Sequence, residues 1–195
     1  MQKSSANMAR RLAAICFSPR KEWDAIAGEP DSIGRLCWRY ILPFSLIAPL
    51  STMIGMRLFD GEWDAGYGYF VPAARIVPSA IGTFVISVLT IFMLAATYWL
   101  LAGFYDVKRN YLAALKVAVY GAIPVWISGV FLFLLPMIAL SMAALAYSCV
   151  LYAIGLNRVM GVNEDNSAEL AVLAILLVCM ITVLLGSLAS QAGLL

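Results

Sequence analysis

The sequence predicts an all-α integral membrane protein with five transmembrane helices, preceded by a short amphipathic cytoplasmic N-terminal region. Hydrophobic residues make up 63% of the 195 residues, whereas charged residues make up only 12%, about half the share of a soluble domain. Two long runs, residues 76–105 and 117–157, contain no charge at all. We therefore divide the chain into an N-terminal region, residues 1–35, and a five-helix transmembrane domain, residues 36–195.

The N-terminal region has the pattern of an amphipathic helix followed by a shorter one. The apolar residues that recur at helical spacing are Met8, Leu12 and Ile15. This spacing predicts a helix that lies on the membrane surface. Ser18 and Pro19 then form an N-cap and a first helical position for a second helix, residues 20–27.

The cations and the tryptophan of this region are candidate contacts with the membrane surface. They are Arg10, Arg11, Arg20, Lys21 and Trp23. Each cation near an anionic bilayer contributes about 1 kcal/mol to binding, and a tryptophan anchors well among headgroups. The alternative is that these residues only determine the topology of the chain.

The lengths of the uncharged runs determine the number of crossings. A helix rises about 1.5 Å per residue, so roughly 20 residues cross the hydrocarbon core. Residues 117–157 would form a helix about 60 Å long, and Pro136 lies near their centre, so we predict a hairpin of two crossings there. The five predicted spans are residues 38–56, 76–105, 112–135, 137–157 and 168–190.

The first and fifth spans carry local signals of their own. Pro43 and Pro49 interrupt the first span, because proline cannot donate to the helical hydrogen-bond ladder. Before the fifth span, Asn166 is followed three residues later by Glu169. This is the pattern of a capping box, and it predicts a helix that begins near residue 168.

Positive charges are distributed unevenly between the two sides of the five spans. Of the 13 Lys and Arg residues, eleven fall in residues 1–39, in residues 106–116 where span 2 leads into span 3, or directly after span 4. Only Arg57 and Arg75 fall on the other side. Because cytoplasmic loops are enriched in Lys and Arg, we predict a cytoplasmic N terminus and a C terminus outside.

The composition argues against several classes of function. The chain has no histidine, which removes the commonest general base and metal ligand. The four cysteines (Cys16, Cys37, Cys149 and Cys179) are scattered and form no CxxC pair. No charged residue lies in the central part of a predicted span, which argues against transport coupled to protons or sodium. The net charge of +2 does not indicate nucleic-acid binding. We predict no enzymatic activity, metal or cofactor.

The most ordered polar pattern in the spans is a stripe of hydroxyl residues in span 2. Its members fall within about 80° of one another on a helix: Ser79, Thr83, Ser87, Thr90 and Thr97. One interpretation is the lining of a pore; the other is close helix packing, with each hydroxyl bonded to the carbonyl four residues earlier. Span 5 carries a small-residue face suited to packing or dimerisation, with Thr182, Gly186 and Ser190.

Three segments resemble the Yip1 family in its short bacterial form. They are Ser18-Pro19 with Trp23 and Ile26, Tyr120-Gly121-Ala122-Ile123-Pro124 in span 3, and Leu151-Tyr152-Ala153-Ile154-Gly155 at the end of span 4. The resemblance covers about residues 18–190 and implies five spans with a cytoplasmic N terminus. Eukaryotic members of the family engage prenylated Rab GTPases in Golgi and endoplasmic reticulum membranes. They carry a longer N-terminal region and an Asp-Leu-x-Gly-Pro motif that this chain lacks, so the resemblance implies a bacterial inner-membrane protein rather than a Rab partner.

Two functions remain as alternatives. The first is a non-enzymatic Yip1-like membrane protein that acts through protein or lipid contacts, as a scaffold for membrane organisation. Its partners would be the lipid bilayer and a second copy or another membrane protein, with no nucleic acid. The second is a small-solute permease or channel lined by the hydroxyl stripe of span 2. A membrane enzyme would need a convergent acid or base that the sequence does not show.

Overall fold

The computed structural model describes residues 2–58, 73–131 and 138–191, and these residues form helices joined by short turns. Within them, five helical stretches are long and apolar enough to cross a membrane. Spans 1 to 5 are Ile33–Ile54, Ile76–Tyr105, Tyr111–Phe131, Ala139–Met160 and Glu164–Leu188. The predicted fold class is therefore confirmed. The turn predicted at Pro136 lies outside the described residues.

Two helices precede span 1 and form what we call the N-terminal hairpin: α1, Gln2–Phe17, and α2, Pro19–Gly28. The sequence predicts that α1 lies on the membrane surface. Instead, Ile15 of its apolar stripe is fully buried by protein. Tyr147, near the middle of span 4, donates a hydrogen bond of 2.7 Å to the carbonyl of Cys16. The C-terminal end of α1 therefore packs against the bundle.

Span 1 changes its helical geometry near each of its prolines. Its helical segments are Ile33–Leu36, the π-helical turn Cys37–Ile41, Leu42–Ser45 and, after a turn at Leu46, Ile47–Leu58. Pro43 and Pro49 both lie in the first turn of a segment. The N–H groups of a first turn have no acceptor within their own helix, so proline costs little there.

The remaining spans are longer and end at well-defined turns. The helical segments that form span 2 are Ala73–Leu101 and the 3₁₀ turn Ala102–Tyr105. Those of span 3 are Tyr111–Gly121, Ile123–Ser128 and Gly129–Phe131. Span 4 lies in Ile138–Gly155 and the π-helical turn Leu156–Met160, and span 5 lies in the helix Glu164–Gln191. The left-handed residues Asp106 (φ 55°) and Gly161 (φ 80°) follow spans 2 and 4. Such residues commonly terminate helices.

The predicted capping box of span 5 is wrong. The helix begins at Glu164, so Asn166 already lies in its first turn. The backbone N–H groups of Asn166 and Ser167 donate to the carbonyl of Asn163. The first turn therefore forms directly after Asn163, and its acidic residues interact favourably with the helix dipole.

Span 3 is the central helix of the bundle. About 78% of its most apolar window is buried, compared with 22–33% in the other four spans. It packs against spans 1, 2 and 4, and span 5 packs against spans 2 and 4. The outer spans expose large apolar side chains, among them Ile54, Ile81, Leu89, Met142, Leu176 and Val183. Such surfaces are stable only in lipid, so the chain is an integral membrane protein in contact with the bilayer.

Candidate functional site

The N-terminal hairpin packs against spans 3 and 4 through a buried tryptophan. The Trp23 side chain is fully buried, and its ring meets that of Tyr120 edge-on, with centroids 6.3 Å apart. It also packs on Gly155, where an added Cβ would lie 2.8 Å from the indole. Edge-to-face rings contribute beyond the area that they bury. The indole thus joins α2 to two spans at once.

A glycine also brings spans 3 and 4 together at this point. The Tyr152 ring lies so close to Gly121 that a Cβ there would overlap its carbons. The Tyr98 ring of span 2 is 6.0 Å from that of Tyr152. We call Trp23, Tyr120, Gly121, Tyr152 and Gly155 the hairpin junction. The three segments singled out in the sequence are therefore parts of one packing contact.

Lys116 holds the end of α2. The sequence places Lys116 among the loop cations, but in the structure it lies within span 3 and is only 7% exposed. Its ammonium donates to the carbonyls of Ile26 over 3.0 Å and of Glu29 over 2.6 Å. The last carbonyls of a helix lack donors within the helix, and a cation there also complements the dipole. Lys116 therefore fixes the hairpin to the central span.

Arg11 joins α1 to α2 at the same place. Its Nε lies 3.0 Å from a Glu22 carboxylate oxygen, and its two terminal nitrogens both donate to Glu29, one of them over 2.7 Å. The guanidinium also lies 5.9 Å from the centre of the Tyr120 ring. The bidentate pairing raises the pKa of Arg11 and lowers the pKa of Glu29. Both groups are therefore charged over the physiological pH range.

A charged crevice of about 510 Å³ opens between the hairpin and the start of span 1. Its walls are formed by Arg10, Arg11, Ala14, Glu22, Glu29 and Arg39. Arg39 comes from span 1, and its guanidinium lies 5.9 Å from the centre of the Tyr40 ring. The positive charges of Arg11, Lys116 and Arg39 all lower the pKa of Glu29, with Arg39 contributing least. Cations outnumber carboxylates in the walls, so the crevice favours an anion.

An apolar cavity of about 360 Å³ lies between the spans. Each span contributes to its wall, for example through Ala48, Thr90, Trp126, Leu145 and Val178. Four serine and threonine hydroxyl groups interrupt the apolar lining: those of Ser87, Thr90, Ser128 and Ser141. Apolar walls with a few polar groups are typical of small-molecule sites.

A row of aromatic rings, which we call the aromatic stack, connects the crevice to the cavity. The Tyr120 ring beneath Arg11 lies 5.0 Å from that of Tyr40, which lies 6.3 Å from Phe44. Phe44 in turn lies 5.6 Å from Trp126 in the cavity wall. All four side chains are at least nine-tenths buried. The stack therefore fills the protein between the two spaces.

The structure separates the five predicted membrane-surface residues. Arg10 and Arg11 line the crevice, whereas Arg20 and Lys21 are exposed on α2. Trp23 is not exposed at the bilayer surface as predicted, because the bundle provides a protein pocket for the indole.

Other aromatic residues are exposed on the side of the bundle that carries the N-terminal hairpin. Trp38, at the start of span 1, is 79% exposed, and Phe104, at the end of span 2, is 80% exposed. Exposed aromatic rings at helix ends are typical of the headgroup layer. The adjacent pair Trp38-Arg39 at the start of an apolar run is the sequence signal that would have identified Trp38.

The hydroxyl groups of the span 2 stripe bond mainly to their own helix. Thr83, Thr90 and Thr97 donate to the carbonyls four residues earlier, over 2.8–2.9 Å. The first of these acceptors is the carbonyl of Ser79. Ser87 and Thr90 also line the apolar cavity. Three hydroxyl groups of the stripe are thus satisfied within span 2, and Ser87 and Thr90 reach a space large enough for a ligand.

Only part of the small-residue face of span 5 makes contacts with other described residues. The Thr182 hydroxyl donates to Val178 and lies 3.5 Å from that of Thr90, so the two predicted patterns meet. No neighbouring atom lies within 4 Å of a Cβ built on Gly186. The side chain of Ser190 lies outside the described residues.

The described residues provide little basis for bond-making chemistry. Among residues 2–58, 73–131 and 138–191, no group of three His, Cys, Asp or Glu side chains is placed to hold a metal ion. Burial raises the pKa of the Cys16 thiol, which disfavours the thiolate that acts as a nucleophile. The charges near the junction instead hold helices together and line the crevice.

Comparison with protein families gives one match that covers nearly the whole chain. The family model described as the Yip1 domain matches residues 13–186. The matched region contains the hairpin junction, the aromatic stack and all five spans except the end of the fifth. No curated protein and no solved structure matches the chain.

Proposed function

Because the chain belongs to the Yip1 family, we propose that it acts without catalysis, through lipid and protein contacts made on the side of the bundle that carries the N-terminal hairpin. In this role it is a scaffold that helps to organise the membrane. Protein partners and a second copy of the chain are the candidates for the protein contacts.

The observation that carries this proposal is the fixed attachment of a charged hairpin to the central span. The buried ammonium of Lys116 and the buried indole of Trp23 hold α2 in one position. Elsewhere on α2 the side chains of Arg20 and Lys21 are exposed, and Asp24 pairs with Arg158 of span 4 over 3.5 Å. A preorganised surface binds more tightly because less freedom is lost on binding. The hairpin is therefore suited to recognition.

The charge distribution supports a definite orientation and location. Eleven of the 13 Lys and Arg residues are on the side of the hairpin, which favours a cytoplasmic N terminus and a C terminus outside. The exposed rings of Trp38 and Phe104 then lie at the cytoplasmic boundary of the bilayer. We place the protein in the bacterial inner membrane, whose anionic lipids attract such a surface.

A photo-crosslinking experiment tests this proposal. A photoreactive amino acid is placed at Lys21, on the exposed surface of α2, and the control carries it at Val183, which is 70% exposed on span 5. We expect position 21 to give protein or headgroup adducts in cells, identified by mass spectrometry, and position 183 to give mainly acyl-chain adducts. A chain that stays a partner-free monomer in native membranes, with no adduct at position 21, would contradict the proposal.

The apolar cavity favours a second candidate, a small-solute permease or channel. Ser87 and Thr90 reach this cavity, but the aromatic stack fills the path from the charged crevice. Single cysteines at positions 83, 87 and 90, in a background without the four native cysteines, decide between the two functions. Labelling of positions 87 and 90 by water-soluble thiol reagents would support a permease. Resistance to labelling would show a packed stripe and exclude it.

A further inference from the structure

The charged crevice is the strongest candidate for a binding site that the proposed function does not yet use. Its walls come from three separate elements, α1, α2 and span 1. Its volume of about 510 Å³ is within the range of small-molecule sites. The crevice forms only where the hairpin lies beside the start of span 1. Its shape is therefore fixed by the same contacts that hold the hairpin at the hairpin junction.

The charges of the crevice favour one phosphate group. Arg11 is fully engaged, since it bonds to both Glu22 and Glu29. Lys116 lies behind Glu29 and donates to its carbonyl, so its charge adds to the positive potential at that end. Arg10 and Arg39 complete the wall, which leaves the crevice and its surroundings with more positive than negative charge. Guanidinium groups match phosphate oxygens in geometry and charge.

The position of the crevice favours a phosphate that belongs to a lipid. Arg39 directly follows Trp38, whose ring is 79% exposed at the start of span 1. An exposed tryptophan at a helix end lies at headgroup level. The crevice walls next to it are therefore at the depth of lipid phosphates, and the apolar surfaces of spans 1 and 2 are available to acyl chains.

We infer that the crevice between the N-terminal hairpin and span 1 binds the phosphate group of an anionic lipid headgroup, with Arg10 and Arg39 as its ligands. The inference rests on the proposed function and deepens it, since it assigns the lipid contact to one place and one chemical group. Arg11 is a positioning residue here, because its donors hold the two carboxylates away from the bound anion.

The test compares lipid retention in matched variants. Purified full-length protein is equilibrated in bilayers of phosphatidylcholine mixed with phosphatidylglycerol, and the retained lipids are measured by native mass spectrometry. We expect the wild type to retain phosphatidylglycerol preferentially. Arg10→Gln and Arg39→Gln should each reduce that preference about fivefold. The controls Arg20→Gln and Lys21→Gln remove the same charge from α2 outside the crevice and should reduce it less than twofold, as distant screened charges do.

Two further experiments distinguish binding in the crevice from attraction by the positive charge of this side of the protein. Ala14→Leu fills the crevice without changing any charge, and we expect it to remove the preference as well. Unchanged melting temperatures in pure phosphatidylcholine show that the variants remain folded. Inorganic phosphate and glycerol phosphate, added to protein in phosphatidylcholine, should give no thermal stabilisation if the ligand is a lipid.

Each outcome has a distinct meaning. Equal losses in the crevice and control variants, or full retention in Ala14→Leu, would overturn the crevice site while leaving a general lipid contact in place. Stabilisation by soluble phosphate equal to that by phosphatidylglycerol would overturn the lipid as the source. A wild type without lipid preference would also overturn the inference, whereas adducts at position 21 would still support the proposed function through protein contacts.

Discussion

The ammonium of Lys116 lies 2.6 Å from the backbone carbonyl of Glu29, 87 positions earlier in the chain. One side chain of the central span thereby completes the end of a helix in the N-terminal hairpin. Burial of an unpaired charge is costly, so the carbonyls of Ile26 and Glu29 stabilise the buried ammonium in turn. The contact makes the hairpin part of the transmembrane fold.

Lys116→Met should release the hairpin. The change leaves the carbonyls of Ile26 and Glu29 without this donor, at a cost of about 1–3 kcal/mol for each buried one. We expect faster tryptic cleavage at Arg20 and Lys21, followed by gel analysis, and a lower melting temperature. Lys108→Met, at an exposed loop position, is the control and should leave both unchanged. A Lys116→Met protein with wild-type cleavage would refute the anchoring role.

Gly155→Ala should disturb the hairpin junction. An added Cβ would meet the Trp23 indole at 2.8 Å, and overpacking of this kind costs about 1–3 kcal/mol. Thermal unfolding in detergent should show a lower midpoint, with a shift in Trp fluorescence. Gly186→Ala is the matched control, because nothing lies near its Cβ position. Equal effects of the two changes would show that only helix propensity is being measured.

Acidification should weaken the attachment of α1 to α2. The bonds from Arg11 hold the pKa of Glu29 below its ordinary 4.5, so the folded state binds the proton less readily than the unfolded state. The stabilisation is therefore complete above about pH 4.5 and is lost as the pH falls through the lower, folded pKa.

The matched variant for this pH dependence is Glu29→Gln. Its melting temperature should fall less than that of the wild type between pH 6 and the acidic limit of the experiment. Since the Glu29 side chain is 48% exposed, the difference should be modest and should shrink in high salt. Glu164→Gln, at the exposed start of span 5, is the control. A wild type and Glu29→Gln variant with parallel pH profiles would contradict this prediction.

Ser141→Ala should be neutral or slightly stabilising. The Ser141 hydroxyl lines the apolar cavity and is buried without a hydrogen-bond partner, so its removal relieves an unsatisfied polar group. Ser128→Ala, whose hydroxyl donates to Val125 over 2.8 Å, should cost about 0.5–1.5 kcal/mol. Both are measured by thermal unfolding in the same lipid. A clear loss in Ser141→Ala would mean that the hydroxyl binds a molecule in the cavity.

Much of the bundle was predictable because transmembrane helices follow from length and polarity alone. Spans 2, 3 and 4 required only the two uncharged runs and Pro136, and all five spans found agree with the predicted ones to within a few residues at most ends. The start of span 5 differed because Asn163 and Asn166 are both favourable N-cap residues. Local preference does not decide between two such signals three residues apart.

The hairpin junction was beyond prediction from local patterns. Spacing placed Trp23 on the apolar face of α2, and the structure agrees, but a pattern does not say whether that face meets lipid or protein. The pocket that receives the indole is made by Gly155, more than a hundred residues later. Lys116 likewise resembled a loop cation, because its acceptors are backbone carbonyls, which have no sequence signature.

The hydrogen bond from Tyr147 to Cys16 has a consequence for the shape of the molecule. It places the turn between α1 and α2 beside the middle of span 4. The hairpin therefore widens the protein beside the half of span 4 that ends at Met160.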